Sequence, residues 1–203
     1  GINGDTEGPG RGSDIILRAK DSLAVLGESP DAEYSGIYAN SGTEDEITGD
    51  LGDSGDILIE AGNITFADGA GIDSFTYGSG KGGNVVLSAS DSLSFAGKGG
   101  TKAGHISVAT KGREDGAGDA GRLEITAGDI SFADGARISS DTYGRGRGGD
   151  VILRASERIS FAGKGGDDVF RLGQCGGHDD FNAVGAGNAA LVFNGTDRFE
   201  GFQ

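Results

Sequence analysis

Every second position is apolar in a set of short runs along the chain. The apolar sets are Ile15, Leu17, Ala19; Ile57, Ile59, Ala61; Val85, Leu87, Ala89; Leu123, Ile125, Ala127; and Val151, Leu153, Ala155. Between them stand Arg18, Glu60, Ser88, Glu124 and Arg154, residues of no common chemistry. Alternation of this kind over four to eight residues predicts half-buried β-strands. A second short run follows each first one and carries Val25, Phe66, Phe95, Phe132 or Phe161 at an equivalent position. A third run completes the compact units, so strands are predicted near 57–61, 64–68 and 72–76, and again near 123–127, 130–134 and 138–142. Gly, Asp-Gly or Gly-Gly separates the runs.

The runs recur at fixed spacing. Gly55–Gly100 aligns without a gap on Gly121–Gly166, with 29 of 46 positions identical. A partial third copy begins at Gly12, where Asp14-Ile-Ile-Leu-Arg-Ala19 matches Asp150-Val-Ile-Leu-Arg-Ala155. Each 66-residue unit divides into a compact half, about 55–81, and a half with a longer loop, about 82–120. About three short strands per rung, repeated in tandem, predict a right-handed parallel β-helix, a β-solenoid. Stacked about 4.8 Å apart, Val25, Phe66, Phe95, Phe132 and Phe161 would form an internal ladder. The predicted organisation is an N-terminal segment 1–11, solenoid repeats 12–166 and divergent C-terminal rungs or a cap over 167–203.

Composition agrees with an all-β chain. Gly accounts for 42 of 203 residues, whereas Trp and Met are absent. Only 2 residues are Pro and Gly does not fall at every third position, so collagen is excluded. Gly in such number also opposes helices, while the apolar runs oppose a disordered linker. A net charge of −15 disfavours nucleic acid and anionic lipid as partners. No apolar run reaches membrane-helix length, so no membrane insertion is expected. With Cys175 as the only cysteine, neither an internal disulfide nor a cysteine-based zinc site is available. A chain that starts at Gly1 is expected to be a processed product, a fragment or an excised piece.

Several phrases in fixed order, Gly-Asp-Ile-Leu-Ile-Glu-Ala-Gly (55–62), Phe-Ala-Asp-Gly-Ala-Arg-Ile-Ser-Ser-Asp-Thr-Tyr-Gly (132–144) and Ser-Gly-Ile-Tyr-Ala (35–39), resemble repeats of the filamentous-haemagglutinin type, found in two-partner-secretion exoproteins of bacteria. The resemblance spans about 12–166 and implies a right-handed parallel β-helix, secretion, and an adhesive role at the cell surface or outside the cell. It carries over no enzymatic residues, and the family's N-terminal secretion domain is not recognisable. From Gly165 the chain is faintly similar to the calcium-binding nonapeptide repeats of RTX proteins, but the second Gly of each turn is missing. Calcium there would draw on Asp167, Asp168, Asp179 and Asp180; no other cofactor is expected. Phe170, Phe181, Phe193, Phe199 and Phe202 are the aromatic side chains available for a cap or for assembly ends.

Other motifs reduce to turns and loops. Gly78-x-Gly80-x-x-Gly83 and Gly144-x-Gly146-x-x-Gly149 fit a dinucleotide pattern only if a helix follows, and a strand is predicted there instead. Asp68 and Asp134 each lie in Ala-Asp-Gly-Ala, which reads as a turn rather than an acidic catalytic stripe. His178-Asp179-Asp180 beside Cys175 reads as a solvated loop before it reads as a metal site, and no Gly-x-Ser-x-Gly elbow occurs. Asn63-Ile-Thr65 and Asn194-Gly-Thr196 fit a glycosylation pattern incidentally. Residues 28–60 hold ten acids and no Lys or Arg, whereas 137–171 hold seven bases against five acids. Complementary ends of that kind would orient head-to-tail stacking into an open filament. Two functions therefore stand as expectations. The first is a secreted structural or adhesive solenoid that self-associates and contacts a host or neighbouring-cell surface or glycan. The alternative is a carbohydrate-binding or polysaccharide-cleaving β-helix protein.

Overall fold

The computed structural model of the chain describes residues 1–27, 35–43, 51–97, 104–112 and 117–162, together with the backbone of strands 169–171, 181–185, 190–194 and 198–200. The described residues are all-β, with no helix and with parallel strand pairing throughout. Two sheets share the work. A seven-stranded sheet runs in the order β1 (Ile2–Asn3), β4 (Gly36–Tyr38), β6 (Gly71–Asp73), β8 (His105–Ser107), β10 (Arg137–Ser139), β12 (Val169–Arg171) and β15 (Arg198–Glu200). The second, long sheet contains β2 (Ile15–Arg18) and β3 (Ser22–Leu26), both paired to β5 (Ile57–Ala67), then β7 (Val85–Ala96), β9 (Leu123–Ala133) and β11 (Val151–Ala162). The far side of β11 pairs with β13 (Phe181–Gly185) and β14 (Ala190–Asn194). The chain thus visits the long sheet, then the short one, then the long one again, always in the same direction.

Register follows the repeat. Ile57, Val85, Leu123 and Val151 are Cα partners in succession, as are Ile59, Leu87, Ile125 and Leu153. All eight are buried, because the period-2 alternation turns them to the same side of the sheet. The short sheet contributes Ile37, Ile72, Ile106 and Ile138, each fully buried. Inside, Phe66, Phe95, Phe132 and Phe161 stack nearly parallel, with ring centroids 4.4, 5.9 and 5.3 Å apart in turn. Val25 holds the same register on β3, partly buried.

The expectation of about three short strands per rung is corrected. The first two runs merge into one strand of 11 or 12 residues from β5 onward. The inward parity changes between the two runs, and a bulge with Ser90-Asp91 opposite Gly62 and Ser156-Glu157 opposite Gly128 absorbs the difference, so the strand continues instead of turning. The two runs remain separate in the first layer, as β2 and β3, and on the far side of β11, as β13 and β14. The third run is also shorter than predicted, three residues followed by an isolated bridge at Ser41, Thr76, Thr110 or Thr142. Residues 1–11, set apart in the sequence division, join the layering: β1 pairs with β4, and Thr6 bridges Ser41.

Candidate functional site

The outward surfaces differ from one another. On the short sheet, the inward position is Ile in β4, β6, β8 and β10, but the outward column reads Tyr38, Asp73, Ser107, Ser139, only the last two alike. Beside it, Gly36, Gly71, His105 and Arg137 form the second outward column. The His105 ring lies over Gly71, in the space a Cβ would fill, and its Nε2 sits 3.1 Å from Asp73 Oδ1. The pair is shielded, with side chains 22% and 13% exposed, so water competes less for this contact than for a surface pair. Two layers on, the Ser139 hydroxyl donates to Asp141 Oδ2 at 2.8 Å, and Asp141 is 2% exposed. This polar stack is the main feature that sequence reasoning missed. His105 and Asp73 are separated by loops of unequal length, so their meeting depends on register. A second missed cluster caps a corner: Lys111 Nζ lies 3.6 Å from the Phe75 ring centroid, and Phe75 meets Tyr77 edge-on at 5.1 Å.

The first layer presents an open strand edge. Among the described residues, β1, β2 and β3 each pair on one side only, and Leu17, Leu23 and Val25 are just partly buried although their register partners Ile59, Ile64 and Phe66 are fully buried. Ile2, Ile16 and Leu26 are 42%, 56% and 60% exposed along the same edge. Charge there is locally paired: Arg11 reaches Asp14 at 2.7 Å and Asp56 at 3.1 Å. Donation from the Asp56 backbone N–H, with the Arg11 guanidinium beside it, holds the Asp14 carboxyl below the usual carboxylate range.

The predicted site residues divide into three groups. Val25, Phe66, Phe95, Phe132 and Phe161 share one interior column. Phe193 takes the next register position of that column, Phe181 follows Val151, and Phe170 and Phe199 follow Ile138. By register, then, these four follow on from positions that are interior in the preceding layers. Phe202, the calcium candidates Asp167, Asp168, Asp179 and Asp180, and Cys175 with His178 lie outside the described residues. Both Gly-x-Gly-x-x-Gly segments precede a strand, not a helix, as a turn between layers requires and a dinucleotide fold forbids. Asp68 and Asp134 have φ of 57° and 55°, each followed by a glycine of positive φ. Ala70 and Ala136 donate back to the carbonyls of Ala67 and Ala133. Both features define tight turns and explain these acids without catalysis.

No family model matches the chain, and neither does any curated protein or solved structure.

Proposed function

We propose that the chain is an extracellular structural or adhesive protein of the filamentous-haemagglutinin type, wound as a right-handed parallel β-helix and stacking head to tail into a surface or extracellular filament. The observation that carries this reading is the first-layer edge. It offers unpaired backbone and half-covered core residues in the same register that each inner layer offers its neighbour. A second copy of the chain supplies such a layer, and the varied outward faces then become the surface offered to a neighbouring cell or glycan. Electron microscopy and sedimentation of the purified chain test it. Filaments are expected, and Ile16→Lys combined with Leu26→Lys, both at exposed edge positions, should shorten or abolish them. A wild-type chain that stays monomeric across salt and calcium concentrations removes the assembly from the reading.

A second reading, carbohydrate binding or polysaccharide cleavage, is supported by the varied polar column of Tyr38, Asp73, Ser107 and Ser139 with the His105–Asp73 pair. Incubation with acidic and neutral polysaccharides, followed by product analysis, tests cleavage, and His105→Ala should remove any activity found.

A further inference from the structure

At one corner of the layers, short polar side chains cap the backbone of the layer above. Asp14 Oδ1 accepts from the N–H of Asp56 at 2.8 Å, Asp56 Oδ1 from Asn84 at 2.7 Å, and Asn84 Oδ1 from Arg122 at 3.1 Å. Each donor points toward the previous layer, because the neighbouring strand bonds are taken from the other side. The next step breaks the ladder. Arg122 has no acceptor to give, and among the described residues nothing is placed to accept from the Asp150 N–H. Asp150 is exposed, so water meets that amide until a ligand carrying an acceptor oxygen replaces it.

The break coincides with a groove of about 490 Å³ lined by Asn84, Asp119, Arg122, Arg147, Asp150 and the intervening glycines. Arg122 comes from the layer below Arg147, so two arginines border the same space. Arg122 is steadied by Glu124 Oε2 at 2.8 Å. The Arg147 guanidinium has no carboxylate partner among the described residues, while its backbone N–H is held by Asp119 Oδ1 at 2.8 Å. Elsewhere along this corner a carboxylate or amide oxygen occupies the place that Arg122 leaves empty.

We infer that the groove binds a uronic acid unit of an acidic polysaccharide. The sugar carboxylate takes the position of the missing side-chain oxygen, accepting from Asp150 N–H and from Arg122 and Arg147. Asp119, Asp150 and Asn84 stand around it as acceptors for ring hydroxyls. That mixed lining selects the class. A simple anion gains the two arginines but meets two carboxylates, whereas a uronic acid carries both an oxyanion and hydroxyl donors. The inference rests on the glycan reading above, not on the stacking of chains, so it holds for a monomer.

Calorimetric titration of monomeric protein with a galacturonic acid hexamer tests it, against a neutral galactose hexamer and a glutamate hexamer. The galacturonate is expected to bind, less tightly at high salt. Arg147→Ala and Arg122→Asn should each weaken it by about tenfold or more. Arg122→Asn is informative because it restores an acceptor to the ladder: binding should fall while thermal stability is kept or rises. If both variants bind as wild type does and only His105→Ala loses binding, the glycan reading stands and this site is wrong. Equal binding of the neutral or glutamate hexamer overturns the uronic acid assignment. Failure to bind any glycan overturns both.

Discussion

Two columns of the molecule run side by side through the same layers. The interior column of the long sheet reads Phe66, Phe95, Phe132, Phe161, and the corner column reads Asp14, Asp56, Asn84, Arg122, Asp150. Strand hydrogen bonds fix the spacing of both. Yet one repeats a single side chain and the other passes through negative, neutral and positive. The interior must fill a set volume with no water to correct an error, so shape decides and the same ring returns. The corner faces solvent, and the only demand on a side chain there is an oxygen for the next amide. Asp and Asn both meet that demand. Arg does not, and the exception marks a groove.

The contrast orders the expected effects of substitution. Phe132→Ala should cost the most, about 3–5 kcal/mol, since it leaves a cavity between rings stacked on both faces. Urea denaturation measures it, and a loss below that of any corner variant would break the comparison. Gly121→Ala should follow at about 1–3 kcal/mol, because a Cβ there would fall within the van der Waals shell of the Gly83 carbonyl oxygen. The same place recurs at Gly83 and Gly149, each pressed against the backbone of the layer before. Asp56→Ala should cost about 1 kcal/mol by removing the acceptor for Asn84 N–H, and Asp56→Asn should restore most of it. If the two substitutions denature alike, the oxygen is not what the corner needs.

The smallest effect is one of pH. Asp14 titrates below its unfolded value near about 3.9. Its ionised form is therefore favoured by folding, and that contribution is complete above about pH 5 and lost as pH falls through the lowered folded value. Asp14→Asn keeps the acceptor but not the charge. The melting temperature of the wild type should exceed that of the variant at neutral pH, and the gap should close on acidification. A gap that stays constant down to about pH 2 would exclude this linkage.

The aromatic column and the inward Ile, Leu and Val positions were legible in the sequence because they repeat in kind at a fixed period. So were the Asp68 and Asp134 turns, where chemistry and location coincide. The merging of two runs into β5, β7, β9 and β11 was not legible. Gly62 and Gly128 punctuate the sequence as a turn would, and only the inward parity on either side tells a bulge from a corner. The His105–Asp73 pair and the gap at Arg122 were hidden for a different reason. Neither is a motif; each is a relation between layers whose connecting loops differ in length. The alignment of Phe193 behind Phe161 belongs to the same kind of information, since composition shows the ring and only register shows its column.

Because all the strands are parallel and hydrogen-bond across their length, the bonds between layers point along the direction in which layers accumulate. A pull along that direction loads one interface after another, like links of a chain, and each link in the long sheet is built alike. Adding layers lengthens such a stack without changing the strength of any one interface. Its breaking force is that of a single interface, whatever the number of repeats.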